Sequence, residues 1–151
     1  MFCGESKKAL LECMEKGLAR EEADCAVLPQ SRKGLADARN TLRIMKEVPI
    51  TVVVLNTDGK SFFEEIDTDS RVTEICDILS IGASIENILL RPEEISLGTL
   101  WIVNTCYAYP ELTAHLQTEY QLVGAIAVGY AAEKSTQRPR KNLEEVVEFR
   151  M

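Results

Sequence analysis

Leu122-Val123-Gly124-Ala125-Ile126-Ala127-Val128-Gly129-Tyr130 is an apolar run interrupted only by glycine. A strand with one wet face would alternate apolar and polar residues, and this one does not. Such a run reads as a strand covered on both faces. Ile50-Thr51-Val52-Val53-Val54-Leu55 repeats the pattern upstream. It begins after Pro49 and closes at Asn56-Thr57-Asp58-Gly59, a turn by composition. A third segment, Leu97-Gly98-Thr99-Leu100-Trp101-Ile102-Val103, reads as a turn feeding a short strand.

The segments between these strands carry helical periodicity. From Ser6 to about Ala23, Leu10, Met14 and Leu18 recur every four residues among Lys, Glu and Arg, which predicts an amphipathic helix. After a break at Leu28-Pro29-Gln30-Ser31, Ser31 is placed to cap a second helix whose stripe is Leu35, Ala38, Leu42 and Met45. Thr68 or Asp69 is expected to cap a longer helix reaching Leu90, with Arg91-Pro92 ending it. Val72, Ile75, Cys76 and Leu79 lie on one of its stripes; Ile78, Ile81, Ile85 and Ile88 lie on another. A helix apolar nearly all round must be covered nearly all round. Either a partner subunit covers part of it or it is the central helix of a monomer. Gly82, Ala83 and Ser84 would let another helix come close. Tyr109 to Leu116 reads as a short helix with Pro110 in its first turn, and Leu143 to Phe149 as a weakly alternating extended arm. Strands alternating with helices indicate a mixed α/β or α+β layer fold, in a single domain over residues 1–151.

Composition narrows the function. A net charge of −7 argues against a general nucleic-acid binder, which would present a basic face. The longest apolar run, Val48 to Leu55, is too short to span a bilayer. Lys7 and Lys8 followed by acidic residues do not form a secretory signal, so a cytoplasmic location is expected. The five cysteines contain no CxxC pair and are accompanied by one histidine, which predicts neither a disulfide framework nor a metal site. Cys76 and Cys106, in apolar surroundings, are expected to behave as small hydrophobes.

Few residues suggest catalysis. His115 lacks the neighbours of a hydrolytic triad and reads as a surface residue. Neither GxxxxGK[ST] nor GxGxxG is present. Glu64-Glu65, Glu93-Glu94 and Glu144-Glu145 read as solvated carboxylates. The features left are the basic cluster Arg138-Pro139-Arg140-Lys141 and the stretch Gly98-Thr99-Leu100-Trp101-Ile102-Val103-Asn104. Guanidinium forks suit phosphate oxygens, though a solvated charge run has the same composition. The second stretch would offer the end of a strand to a planar ligand, or would simply pack in the core.

In order and spacing these segments resemble the nitroreductase family. Ser80-Ile81-Gly82-Ala83-Ser84-Ile85-Glu86-Asn87-Ile88-Leu89-Leu90 is similar to its central helix, and Ser96-Leu97-Gly98-Thr99-Leu100-Trp101-Ile102 to its GLGTLWI turn. Tyr107-Ala108-Tyr109-Pro110-Glu111-Leu112 resembles FAYxEL. Leu122 to Tyr130 matches the last core strand, and Arg138 to Arg150 the closing RPRKPLEEVVEWR. The resemblance is specific from about Arg71 onward and looser from Gly4.

It implies an α+β fold, a mixed sheet flanked by helices, in a homodimer with flavin mononucleotide (FMN) at the subunit interface. It also implies NAD(P)H as hydride donor and a nitroaromatic or quinone-type acceptor. Arg138 and Arg140 would hold the FMN phosphate, with Lys141 assisting. Trp101, Ile102, Val103 and Asn104 would lie along the isoalloxazine, with a backbone N–H near flavin N5, and Asn40 would reach it from its helix. The resemblance further implies that Phe2-Cys3-Gly4 corresponds to the end of the family's ring-side strand. The arginine- and serine-rich segment preceding that strand, which grips the same phosphate, would then lie upstream of this chain, leaving FMN weakly held or absent. The alternative is a non-catalytic dimeric relative that has lost flavin and serves as an interaction or small-ligand-binding protein.

Overall fold

The computed structural model describes residues 1–23, 25–131 and 139–150. Helix α1 (Gly4–Glu22) buries Leu10, Leu11, Met14 and Leu18, and α2 (Leu35–Glu47) buries Leu35, Ala38, Leu42 and Met45. The α2 set is the predicted stripe, and the α1 set is the predicted Leu10, Met14 and Leu18 with Leu11 added. The buried ammonium of Lys7 donates to the carbonyls of Lys46 and Val48, so α1 supplies the C-terminal cap that α2 lacks on its own.

Between these helices the chain departs from expectation. Ser31 does not cap α2. A 3₁₀ segment, Pro29–Gly34, uses those residues, and Gly34 is the N-cap. The Tyr107 hydroxyl donates to the Ser31 carbonyl at 2.9 Å, a long-range bond that holds this turn in place.

Strand β1 (Ile50–Asn56), helix α3 (Thr68–Glu94), strand β2 (Leu97–Ile102), helix α4 (Tyr109–Leu116) and strand β3 (Gln121–Tyr130) follow. The sheet is three-stranded, in the order β1-β3-β2, with β3 antiparallel to both neighbours. Its central place explains why its sequence is the most continuously apolar. The register slips where Val54 faces Gly124 but Leu55 faces Leu122; Val123 is the extra residue of a bulge. Gly124 passes beside β2 so closely that a Cβ there would lie 2.5 Å from the Ile102 carbonyl oxygen.

One sheet face, through Ala125, Ala127 and Ile102, joins the main core with α1, α2 and α4. The other bears Ile126 opposite Trp101 and is covered by α3, where Gly82 faces the Trp101 ring. This cover is partial. Residues Val52 to Leu55 are half-buried, not enclosed on both faces as their composition predicted.

The Asp67 carboxylate caps α3, accepting from the N–H groups of Asp69 and Ser70 at 3.0 Å each. The helix does not stop at Arg91 but runs to Glu94 through Pro92; so near the end, the missing N–H forfeits little of the hydrogen-bond ladder. Only Ile85 of this helix is fully buried. Val72, Ile75, Leu79, Ile88 and Leu90 are exposed, and so is Cys76, contrary to its expected packing. The Leu143–Phe149 arm starts as a short helix, α5 (Leu143–Val146), closed by a capping box between Asn142 and Glu145, and turns extended only at Val147. Among the described residues no helix is long and apolar enough to cross a membrane.

Candidate functional site

β2 delivers the candidate residues in alternation. Trp101 is 39% exposed, Ile102 is 2% exposed and Val103 is 58% exposed. Ile102 therefore anchors the strand end in the core while its neighbours present apolar surface outward. The chain then enters a 3₁₀ turn, Asn104–Ala108, that wedges between the helices. Its floor is α1, where Gly17 comes so close that a Cβ would sit 2.3 Å from that of Ala108.

Asn104 opens this turn and is tied to α2. Its Nδ2 donates to Asp37 Oδ2 at 2.8 Å and to Thr41 Oγ1 at 3.0 Å. Those positions bracket Asn40, so the structure brings two of the predicted residues to one face of α2. Asn40 is exposed, and its Oδ1 accepts from Arg43 Nε and Nη2 at 3.2 and 3.1 Å. Sequence reasoning missed Arg43, although its spacing of three from Asn40 on a helix was visible. It also missed Asp37 and Thr41, for which no local signal existed.

Arg138 lies outside the described residues. Arg140 and Lys141 are exposed. Among the described residues they make no ion pair, and no hydrogen bond joins them to β2 or α2. Among the described residues of one chain, then, no direct bond brings Arg140 or Lys141 to the strand end.

A separate open cleft of about 600 Å³ lies between the β1–α3 loop and α4, lined by Lys60, Phe63, Glu64, Tyr109, Glu119 and Tyr120. None of the predicted residues lines it. Its paired carboxylates disfavour a phosphate-bearing ligand, so the end of β2 remains the better candidate.

The α1–α4 joint behind the site is ionic. Arg20 donates from Nε to Glu111 Oε1 at 2.7 Å and from Nη2 to Glu111 Oε2 and the Tyr107 carbonyl at 3.1 Å each. Partial burial pushes the Glu111 carboxyl up, but the Arg20 fork outweighs this and holds it below the ordinary 4.5. Arg20 is pushed further up, chiefly by its bond to Glu111. Burial pushes the Cys106 thiol up, so it is a poor nucleophile. Glu21, fully buried, accepts from Arg20 and from the N–H groups of Val27 and Leu28 at 2.9 and 3.0 Å, fixing the connector that leads to α2.

The model of the nitroreductase family matches residues 3–130. This chain belongs to the nitroreductase family. The match contains the whole sheet, α2, and every predicted residue except the Arg138–Lys141 cluster, which lies beyond it. The fold agrees with solved structures. A nitroreductase-like family protein from Bacillus cereus superposes with a TM-score of 0.65 at 19% identity, covering 98% of this chain and 70% of its own. The FMN-dependent nitroreductase NfnB from Mycobacterium smegmatis, solved in complex with NADPH, gives 0.67 at 15% identity, covering 99% and 77%. A BluB-like flavoprotein from Clostridium difficile 630 gives 0.64 at 20% identity, covering 98% and 77%. At these identities the likeness is one of fold. Nitroreductase-family membership supports an oxidoreductase.

Proposed function

We propose that this protein is an FMN-dependent oxidoreductase that takes hydride from NAD(P)H and delivers it to nitroaromatic or quinone-type acceptors, working as a homodimer. The observation that carries the reading is the end of β2, where the exposed Trp101 and Val103 adjoin an Asn104 pinned to α2 beside Asn40 and Arg43. A flavin nucleotide asks for an apolar plane, a hydrogen-bonding rim and cations for its phosphate. Trp101 and Val103 fit the first; Asn40, Asn104 and Arg43 fit the second; Arg138, Arg140 and Lys141 fit the third by chemistry. Among neighbours of this fold, one NfnB is an FMN- and NADPH-dependent nitroreductase and another an FMN-dependent one solved with NADPH, which supports the same cofactors here.

FMN, when bound, supplies the redox chemistry: it accepts a hydride and gives it up to a second substrate. The protein's part is placement. Trp101 and Val103 would exclude water from one side of the ring, and Ile102, locked in the core, fixes the strand that carries them. Asn104 would offer its backbone N–H to the ring, and Asn40 would add a polar contact from α2. Arg138 and Arg140 would hold the phosphate through charge-assisted bonds, with Lys141 assisting. A second copy covers the apolar residues exposed on α3, an arrangement suited to a stable interface.

Titration of FMN into the apoprotein, followed by flavin fluorescence quenching, tests this. Binding is expected, and joint replacement of Arg138 and Arg140 by Ala should weaken it by about one to two decades per lost contact. Absence of binding, with NAD(P)H left unoxidised, would favour a non-catalytic relative that keeps the fold for an interaction or a different small ligand.

A further inference from the structure

We infer that Asp37 and Thr41 are positioning residues: through the Asn104 carboxamide they fix the peptide at the end of β2 against the flavin. The inference rests on the flavin reading above and names residues outside it. Strand exits into short turns are ordinarily among the more mobile parts of a fold. Val103, the N-cap of the following turn, has no side-chain group to cap it, and its carbonyl accepts from the Cys106 N–H at 3.1 Å and from the Thr105 hydroxyl at 3.5 Å, bonds within the turn itself. What ties this exit to α2 is the carboxamide, which commits both Nδ2 hydrogens, at 2.8 Å to the Asp37 carboxylate and 3.0 Å to the Thr41 hydroxyl. The first bond is charge-assisted. The second reaches a Thr41 that is 6% exposed, so its loss would leave a half-buried donor without a partner.

A consequence follows for the chemistry of Asn104. With both hydrogens engaged on α2, its side chain has no donor to offer a ligand. Any hydrogen bond that Asn104 donates to the ring must come from its backbone, whose direction the clamp sets. Asn104 is thus an orienting device, and α2 rather than β2 decides where the N–H points.

The test compares Thr41→Val, which keeps shape and removes the acceptor, with Thr41→Ser, which restores it, and with Asp37→Ala. FMN dissociation constants, visible flavin spectra and melting temperatures are measured for each. Releasing the clamp leaves a side chain and its peptide to be ordered on binding, a cost worth roughly two- to tenfold in affinity. Thr41→Val and Asp37→Ala should each raise the FMN dissociation constant by that factor and shift the flavin absorption band. Thr41→Ser should return both to the parent values. Variants that melt lower but bind FMN with unchanged constant and spectrum would overturn the inference, making the clamp purely structural, and leave the flavin reading standing. A parent protein that binds no FMN would remove both.

Discussion

Gly17 shows how a single missing side chain sets the geometry of the site. Glycine in mid-helix costs about 1 kcal/mol relative to alanine, so its presence in α1 needs a reason. The reason is the turn after β2: a Cβ on Gly17 would lie 2.3 Å from Ala108 Cβ and 2.4 Å from its Cα. Those atoms belong to a backbone fixed on both sides and cannot swing aside as a flexible side-chain tip would. Gly17→Ala therefore gains helix propensity and loses more through overpacking, which costs about 1–3 kcal/mol. The expected outcome is a lower urea midpoint with an unchanged slope. Equal or greater stability would mean that the turn yields more readily than its packing indicates. The change should also disturb Asn104, because it pushes on the turn that Asn104 opens.

Among the elements, the joint between α1 and α4 is a partly buried one whose strength depends on pH. Arg20 reaches across to Glu111 and to the Tyr107 carbonyl, tying both helices to the turn beneath the site. The Glu111 carboxyl titrates below its ordinary 4.5 in the folded protein. Its contribution is therefore complete above that ordinary range and is lost as pH falls through the folded value. Arg20 is raised and stays charged throughout, so the window is set by Glu111 alone. Denaturant unfolding from pH 6 down to about 3 should show stability falling below 4.5, with a shallower fall in Glu111→Gln. Parallel profiles for the two proteins would assign the acid sensitivity to other carboxylates.

Elements whose residues are decided by their own burial were legible in the sequence. β3 reads as a buried strand because it is the centre of the sheet, and α4 begins where Pro110 can sit without cost. The cap of α2 was not legible, because Ser31 is held in a 3₁₀ turn by Tyr107, a residue far along the chain. The same holds for the site. Trp101 to Asn104 could be picked out locally, whereas Asp37 and Thr41 matter only through a contact that folding creates.

For the whole molecule the deciding feature is the apolar surface that one chain leaves exposed. Val72, Ile75, Leu79, Ile88 and Leu90 on α3 are joined by exposed Leu143, Val146 and Phe149 on the C-terminal arm. Among the described residues the outer edge of β1 is paired only at Thr51, by Phe2, through bonds of 2.8 and 3.0 Å. Exposed apolar area and an open sheet edge each favour association, and a second copy of the chain, as proposed, would cover them at no cost in new sequence. If folding and dimerisation are linked, stability depends on protein concentration by mass action. The melting temperature should then rise steadily between about 1 and 100 μM chain, and light scattering should give twice the 16.9 kDa chain mass. Leu79 is the test position: at 69% exposure it contributes little to the fold of one chain, so Leu79→Glu should leave each chain folded. In an apolar interface, however, a carboxylate without a partner costs several kcal/mol. The variant should scatter as a monomer, with a melting temperature that no longer depends on concentration. If the FMN site draws on both subunits, the variant should also lose flavin affinity although it alters no residue of that site. A Leu79→Glu protein that remains dimeric would place the interface elsewhere and leave the apolar face of α3 without its explanation.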